Sequence, residues 1–566
     1  MKKTTYATLA QRLNAKQIID SEKINGALNI SRRIGRPFVS VLFSEMQRHS
    51  SESELTLVKQ AIAEALEIPF FDDADDCIIN TDMTRRIGFD DIERKKAFVV
   101  IHDGESFLHV YDPMDYETNQ KILAAIGTSS LEYCMMSPLA VSTIYTRDVA
   151  PLLISDRAKT MDVSAEQPVE SDGEEEVTDV AKMFNDIVNA GISLRASDIH
   201  LCPEKGNAVI RVRVDGVLRD YMPIPLSAFS KLTNFVVSQA KIPEPEQAKT
   251  PRDGSMEFKA SPSLTIPLRV SLIEDTDGRE DICVRILNSQ KMTLSELGMY
   301  DEDIEKVRRL FRMTKGIVLF VGPTGSGKST SMYAGLRETD YKHRRVMTVE
   351  DPVEQHMDGI LQVSVNDDAG LTFESAITAF LRHDPDIICV GEIRRRDVGA
   401  SAMRAAETGH LVISTLHSND APSAITRLTG VDIAISHQDV ASSLSAVVAQ
   451  RLARRVCPNC KEEYDLPTGH HWRTEFELGD GEIRLARGKG CPLCNGIGYK
   501  GRIVLTELLI CNRQIRSAIE RSAPSEEIEK LAAESGYKPL IYDGIRKALD
   551  GLTTFDELEP IRNDII

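Results

Sequence analysis

The chain of 566 residues has no apolar run approaching the roughly 20 residues needed to cross a bilayer. Its opening, MKKTTYATLAQRLNAKQ, carries two lysines with no hydrophobic stretch behind them, so a cytosolic protein is expected. A basic excess is also missing: 68 Lys and Arg against 86 Asp and Glu leave a formal charge of −18. A protein that neutralises phosphates along a nucleic acid is more often basic, so no direct nucleic-acid contact is expected as its main business. Nor is there a disulfide framework. Of ten cysteines only four sit in Cys-x-x-Cys pairs, and the rest are scattered, as at Cys77, Cys134 and Cys389. That distribution points to one metal site among reduced, mostly structural thiols. Internal repeats are absent, and the one biased tract is acidic.

What is present suits several buried cores: 42% apolar and 27% charged residues are ordinary for globular proteins, and the length predicts three or four domains. Between Lys159 and Lys182 the chain has eight acidic residues and no basic one. Residues 156–177 therefore read as a solvated acidic linker. Upstream, residues 1–155 mix helical patterns with short apolar strands such as AFVVIHD and FLHVYDP, which predicts an N-terminal α/β domain. Downstream, Val180, Met183, Phe184, Ile187 and Val188 recur at helical spacing, and ASDIHL, AVIRVRVDGVL and LTIPLRVSLI alternate like strands. A sheet-and-helix domain is expected over 178–290. From 291 to 566, buried strands such as GIVLFV, VMTVE, DIICVGEI and HLVISTL alternate with helices, the pattern of a parallel-sheet nucleoside-triphosphatase core.

Gly322-Pro-Thr-Gly-Ser-Gly-Lys328-Ser329 fits G-x-x-x-x-G-K-[ST] at every fixed position, after a strand and before a helix. Gly322, Thr324, Gly325, Ser326, Gly327, Lys328, Ser329 and Thr330 are the candidate phosphate-binding residues. Glycines let backbone N–H groups close around phosphate oxygens, and the helix N-terminus adds a favourable dipole. Lys328 would reach the β and γ phosphates of ATP and Ser329 would hold Mg²⁺. A glycine-rich turn without a ligand is the bland alternative. Binding is not hydrolysis, and carboxylates decide between them. DPDIICVGE ends a strand with Glu392, and VMTVEDPVE delivers Glu350 and Asp351 from another, both where Mg²⁺ and water must sit. A lone acid more often caps a helix or pairs on the surface. His417 ends a third strand, HLVISTLHSND, where it could touch a γ-phosphate or serve only structure.

Cys457-Pro-Asn-Cys460 and Cys491-Pro-Leu-Cys494 are two knuckles separated by 30 residues. Four thiolates make the tetrahedral sulfur shell that Zn²⁺ prefers, so a structural zinc is expected to pin an insertion at about 455–500 with little other apolar material between His470 and Leu485. Two disulfides or a redox pair are the alternatives.

GPTGSGKST, TVEDPVE, RHDPDIICVGEIR and TGHLVISTLHSND, in this order, closely resemble the Walker A, Asp, Walker B and His boxes of the secretion-ATPase superfamily, the motors of type II secretion and type IV pilus assembly. The resemblance runs from about Ala196 to Gly551. It implies an α/β multidomain protein: a RecA-like P-loop core, a preceding PAS-like α/β domain, an N-terminal α/β domain and a zinc-binding insertion. It also implies a homohexamer that hydrolyses ATP, sits peripherally at the inner membrane and drives a membrane-embedded platform protein, with residues 1–155 docking on associated partners. Glu350 would then activate the attacking water, Glu392 would manage Mg²⁺ and bound water, and His417 would sense the γ-phosphate. Arg211, Arg213, Arg269 and Arg285 would reach the ATP phosphates; the alternative for each is a solvated strand face paired with acids.

Two departures stand out. Relatives usually read P-Q-D-G-R where this chain has Pro251-Arg252-Asp253-Gly254-Ser255, and Arg395 and Arg396 intervene between Arg394 and Asp397. SRRIGRPFVSVLFSEM and IPFF faintly resemble the N-terminal region of relatives, some of which bind a cyclic dinucleotide; a core helix is expected instead. In the family, a tetracysteine insertion and a long N-terminal region accompany assembly and secretion motors rather than retraction motors, so the resemblance implies an extension or secretion motor; a type IV pilus assembly ATPase is expected, with a type II secretion ATPase, which shares the boxes, as the alternative. A DNA translocase and a nucleotide-gated scaffold without turnover are the readings from other classes.

Overall fold

In the computed structural model, the described residues are 5–16, 18–46, 52–74, 76–88, 91–92, 96–128, 131–166, 173–242, 252–261, 264–287, 291–479 and 481–563. They form two units, Met1–Asn288 and Ser289–Ile566.

The first unit begins with helices Tyr6–Lys16, Ser21–Ile34, Phe38–Met46 and Glu52–Leu66. They close on one apolar core to which the helix Phe38–Met46 contributes Phe38, Val39, Leu42 and Phe43, so this segment is a core helix. A small sheet follows, built from β1 (Phe70–Phe71), β2 (Ile78–Ile79), β3 (Phe98–His102), β4 (Glu105–His109) and β5 (Glu132–Met136) in the order β1-β5-β4-β3-β2.

The boundary expected at 155 falls inside a helix. Ala150–Glu166 is helical, and Ile154, Ala158 and Met161 pack against Val180, Met183, Phe184 and Ile187 of the helix Gly173–Ser193. A buried ion pair, Arg157 to Asp186 at 3.2 Å, joins the same two helices. Apolar residues at helical spacing thus override the acidic composition over the first part of the expected linker; its residues 167–172 lie outside the described set. The domain that follows has six antiparallel strands: β6 (Ala196–Pro203), β7 (Ala208–Val214), β8 (Val217–Ile224), β9 (Arg252–Ser261), β10 (Leu264–Glu274) and β11 (Glu280–Ile286), in the order β8-β7-β6-β11-β10-β9. Alternation along these strands turns Ile199, Ile210, Val212, Leu268 and Val284 towards the helices Gly173–Ser193 and Leu226–Gln239.

The second unit is built on a seven-stranded sheet: β12 (Gly316–Val321), β13 (Val346–Glu350), β14 (Leu361–Ser364), β15 (Ile387–Val390), β16 (Leu411–Leu416), β17 (Leu444–Val456) and β20 (Tyr499–Ile510). Its order is β14-β13-β15-β16-β12-β17-β20, parallel throughout except for β17 against β20. The central strands are apolar on both faces because each face carries its own core. Leu319, Met347, Ile388 and Val412 face one, closed by helices including Arg396–Glu407 and Ala421–Thr429. Phe320, Val346, Ile387 and Ile413 face the other, closed by Asp301–Phe311 and Lys328–Arg337. A hairpin of β18 (Lys461–Asp465) and β19 (Arg484–Gly488) lies between β17 and β20 in sequence. No helix among the described residues is long and apolar enough to cross a membrane.

Candidate nucleotide site and cysteine cluster

Because β13, β15, β16 and β12 are neighbours and parallel, their C-terminal ends lie along one edge of the sheet. That edge presents, in order, Glu350, Glu392, His417 and the loop Gly322–Gly327, and ligands of open α/β sheets bind at such an edge. Segments up to 95 residues apart in sequence, Gly322 to His417, are thereby brought together.

The loop has the shape of a phosphate cradle. Gly322, Gly325 and Gly327 take positive φ of 152°, 78° and 88°. At Gly322 an added Cβ would meet Ser326 Oγ at 2.4 Å and the Gln450 carbonyl at 2.5 Å, so no larger residue fits. Gly327 caps the helix Lys328–Arg337, whose first turn carries Ser329 and Thr330. Lys328 Nζ folds back to donate to the carbonyls of Gly322 (2.8 Å) and Pro323 (2.9 Å). Burial pulls its pKa down to about 8, with Glu392 opposing that shift. Ser326 Oγ is buried without a partner in its own chain, an orphaned polar atom inside the cradle. A lysine with only carbonyls to hold beside an unpaired hydroxyl suits a polyanion such as the ATP phosphates.

The two carboxylates differ in surroundings. Glu350 is 4% exposed; Oε1 accepts from Thr348 Oγ1 at 2.6 Å and Gln362 Nε2 at 3.3 Å, and Oε2 accepts from the Tyr333 hydroxyl. Glu392 is more open, with Oε1 2.7 Å from Arg394 Nε and Oε2 3.6 Å from His417 Nε2. Burial and the Lys328 charge hold the His417 pKa below its usual value, so the ring is neutral near pH 7. The Gly391 amide donates to the Val349 carbonyl at 2.8 Å, and a Cβ at Gly391 would come within 3.3 Å of the Glu350 α-carbon, so the two strand ends run side by side.

The four candidate arginines belong to the first unit. Cross-strand register puts Arg213, Asp198, Arg285 and Arg269 in one row across β7, β6, β11 and β10. Asp198 sits 2.7 Å from Arg285 and 3.8 Å from Arg213; burial pushes its carboxyl up, but the hydrogen bonds from Arg285 and Ser197 and the Arg285 charge outweigh it and hold the carboxyl below the ordinary range. Arg211, two residues along the same face, pairs with Asp220 at 2.7 Å and Glu204 at 2.9 Å. Ser255 is the cross-strand partner of Arg269, and Arg252 pairs with Glu280 at 2.6 Å, so this departure moves a positive charge away from the row.

Cys457, Cys460, Cys491 and Cys494 converge with all four sulfurs within 4.8 Å of one another. Sulfur–sulfur separations are 3.7 Å for Cys457–Cys491, 3.9 Å for Cys460–Cys494 and 3.7 Å for Cys491–Cys494. A tetrahedron of Zn–S bonds near 2.3 Å has edges of about 3.8 Å, whereas a disulfide needs about 2.05 Å. The thiols therefore fit zinc and form no disulfide. For Cys491 burial works against ionisation, but hydrogen bonds led by Asn459 and Cys494 outweigh it and bring the thiol to about 7. The insertion has more apolar substance than its composition predicts. Trp472, fully buried, stacks on Phe555 with centroids 4.6 Å apart and on Phe476 at 4.9 Å, while its Nε1 donates to Glu559. The sequence between His470 and Leu485 hid this because its partner Phe555 comes from the C-terminal helix Phe555–Asn563.

The family model described as "Type II/IV secretion system protein" matches residues 173–560. The chain belongs to this family. Among its relatives, the type IV pilus assembly ATPase PilB of Thermus thermophilus is 33% identical over 518 residues, which are 88% of this chain and 56% of that relative. The chain thus spans little more than half the length of the Thermus protein. The type II secretion system ATPase E of Vibrio cholerae is 38% identical over 386 residues, 67% of this chain and 74% of that relative. The Legionella pneumophila ATPase DotB shares the fold, with a TM-score of 0.51 at 21% identity, covering 67% of this chain and 95% of that one. Sequence reading missed Tyr333, Gln362 and Trp472 within this family member. A tyrosine one turn from both Ser329 and Arg337 on the helix behind the phosphate loop was the available signal, since a buried hydroxyl requires a partner.

Proposed function

We propose that the protein is an ATPase of type IV pilus assembly, hydrolysing ATP to ADP and phosphate in a homohexamer and acting through an inner-membrane platform protein and its docking proteins. The observation that carries hydrolysis is the sheet edge, where two strand-end carboxylates stand beside a complete phosphate loop. In this reading Lys328 binds the β and γ phosphates and loop amides of Gly322, Thr324, Gly325, Ser326 and Gly327 cradle them, with Thr330 in the helix turn behind. Glu350 accepts a proton from the attacking water, and His417, neutral at pH 7, hydrogen-bonds the γ-phosphate. Mg²⁺, held by Ser329 with Glu392 nearby, supplies neutralisation of phosphate charge. Arg211, Arg213, Arg269 and Arg285 bind phosphate oxygens, for which a fixed positive fork is suited. Zn²⁺ in the four-cysteine cluster is structural, because four thiolates leave no open position.

What supports pilus assembly over secretion is a single alignment, to the Thermus pilus assembly ATPase, which takes in 88% of the chain and so most of the N-terminal region, against 67% for the Vibrio secretion ATPase. The test is a Lys328→Ala strain with normal protein level, scored together for surface filaments and secreted proteins. Loss of filaments supports the assembly motor, and loss of specific secreted proteins alone moves the assignment to the secretion branch.

A further inference from the structure

The helix that follows the phosphate loop touches the Glu350 environment twice, one turn apart. Tyr333, 2% exposed, donates its hydroxyl directly to Glu350 Oε2. Arg337, four residues on, donates to Gln355 Oε1, and the Gln355 carbonyl accepts from Gln362 Nε2 at 2.8 Å. That Nε2 also reaches Glu350 Oε1, while Gln362 Oε1 is fixed by the Met357 amide at 2.7 Å. Lys328 and Ser329 open the same helix, so phosphate binding and carboxylate geometry share one rigid element.

We propose that Tyr333 is a positioning residue for the Glu350 carboxylate, fixing which lone pair faces the attacking water and tying that orientation to the phosphate-loop helix. It rests on Glu350 being the base. A carboxylate offers about four lone-pair sites. Three are taken, by Thr348, Gln362 and Tyr333, leaving one on Oε2, the oxygen that Tyr333 holds. All three donors are neutral side chains, so the carboxylate is oriented without a cation cancelling the charge that a base needs. Burial and the neighbouring Glu350 raise the Tyr333 pKa, which keeps the hydroxyl a donor at every working pH. A core tyrosine needing only a partner for its hydroxyl would be content with a backbone carbonyl.

The experiment is steady-state ATP hydrolysis by the purified full chain, with nucleotide binding and melting measured in parallel. Tyr333→Phe is expected to lower kcat about tenfold or more with KM for ATP within about twofold and melting unchanged, because only transition-state geometry is lost. In a Glu350→Gln background the same change is expected to add no more than about twofold, since groups acting as a unit are not additive. Gln362→Leu, which leaves the helix core untouched, is expected to lower kcat by about threefold or more on the same grounds. Tyr333→Phe retaining kcat within about twofold, a rise of KM in step with the fall of kcat, or a multiplicative loss in the Glu350→Gln background overturns the proposal. If Glu350→Gln alone leaves hydrolysis intact, the base assignment itself falls, and a separate loss in Tyr333→Phe then shows that Tyr333 acts through something else.

Discussion

The sheet-edge site and the cysteine insertion both gather polar groups from distant segments, and they differ in what would be lost without those groups. At the edge, the backbones of β12, β13, β15 and β16 are already fixed by the two cores of the sheet, and Lys328, Glu392 and His417 are hung on ends that would stay in place without them. In the insertion the four thiols and the Trp472 stack are themselves what closes the chain, beside a two-stranded hairpin. Side chains at the edge are thus free to serve chemistry, whereas those of the insertion serve the fold. The arginine row of the first unit is a third case: half-exposed guanidinium groups around Asp198 on a sheet whose core lies on the opposite face.

This contrast is broken or sharpened by removing one group at a time. The largest effect is expected from Glu350→Gln, which should lower kcat for ATP by about 10²–10⁴-fold while sparing zinc content, as loss of a general base does. Phosphate release measured against bound zinc separates the two; retained turnover would make Glu350 a structural acid. Lys328→Ala should cost about 10²–10³-fold in turnover through loss of a phosphate clamp, again without lowering the melting midpoint.

Trp472→Ala reverses the pattern, with an expected loss of about 3–5 kcal/mol in the stability of the insertion. Trp472 is the sole tryptophan of the chain, so its emission reports the insertion alone. Chelation of zinc, or Cys457→Ser, should shift that emission to the red before nucleotide binding weakens; simultaneous loss of both would erase the distinction drawn between the regions.

A smaller effect concerns pH. Lys328 without nucleotide sits near a pKa of about 8, and bound phosphates favour its charged form, so the bound pKa is the higher one. ATP affinity should therefore be level below about pH 8 and fall above it by at most about tenfold per pH unit, as one proton is linked to binding. Nucleotide titrations between about pH 7 and 9.5 give the slope. The smallest stability change is expected from Arg285→Ala, about 1–3 kcal/mol, because the arginine is half-exposed but its loss leaves the buried Asp198 carboxylate one donor short. If it nonetheless lowers ATP turnover, the row serves phosphate rather than the fold.

Sequence alone carried the phosphate loop, both strand-end carboxylates, His417 and the cysteine knuckles, since each is a short pattern on a strand or turn whose periodicity is local. It carried β6, β7 and β10 of one large sheet and β12, β13, β15 and β16 of the other for the same reason, but not β9, β11, β14, β17 or β20. The break placed at 155 was not legible, because the apolar contacts of Ile154, Ala158 and Met161 lie across the acidic stretch and composition sees only the acids. Only the tertiary structure set Glu350 beside Glu392, made the arginines a row around Asp198, supplied Phe555 to Trp472 and aimed Tyr333 at a carboxylate 17 residues away. Local pattern determines what a segment can become, whereas strand order and packing between distant segments decide which side chain becomes the partner of which.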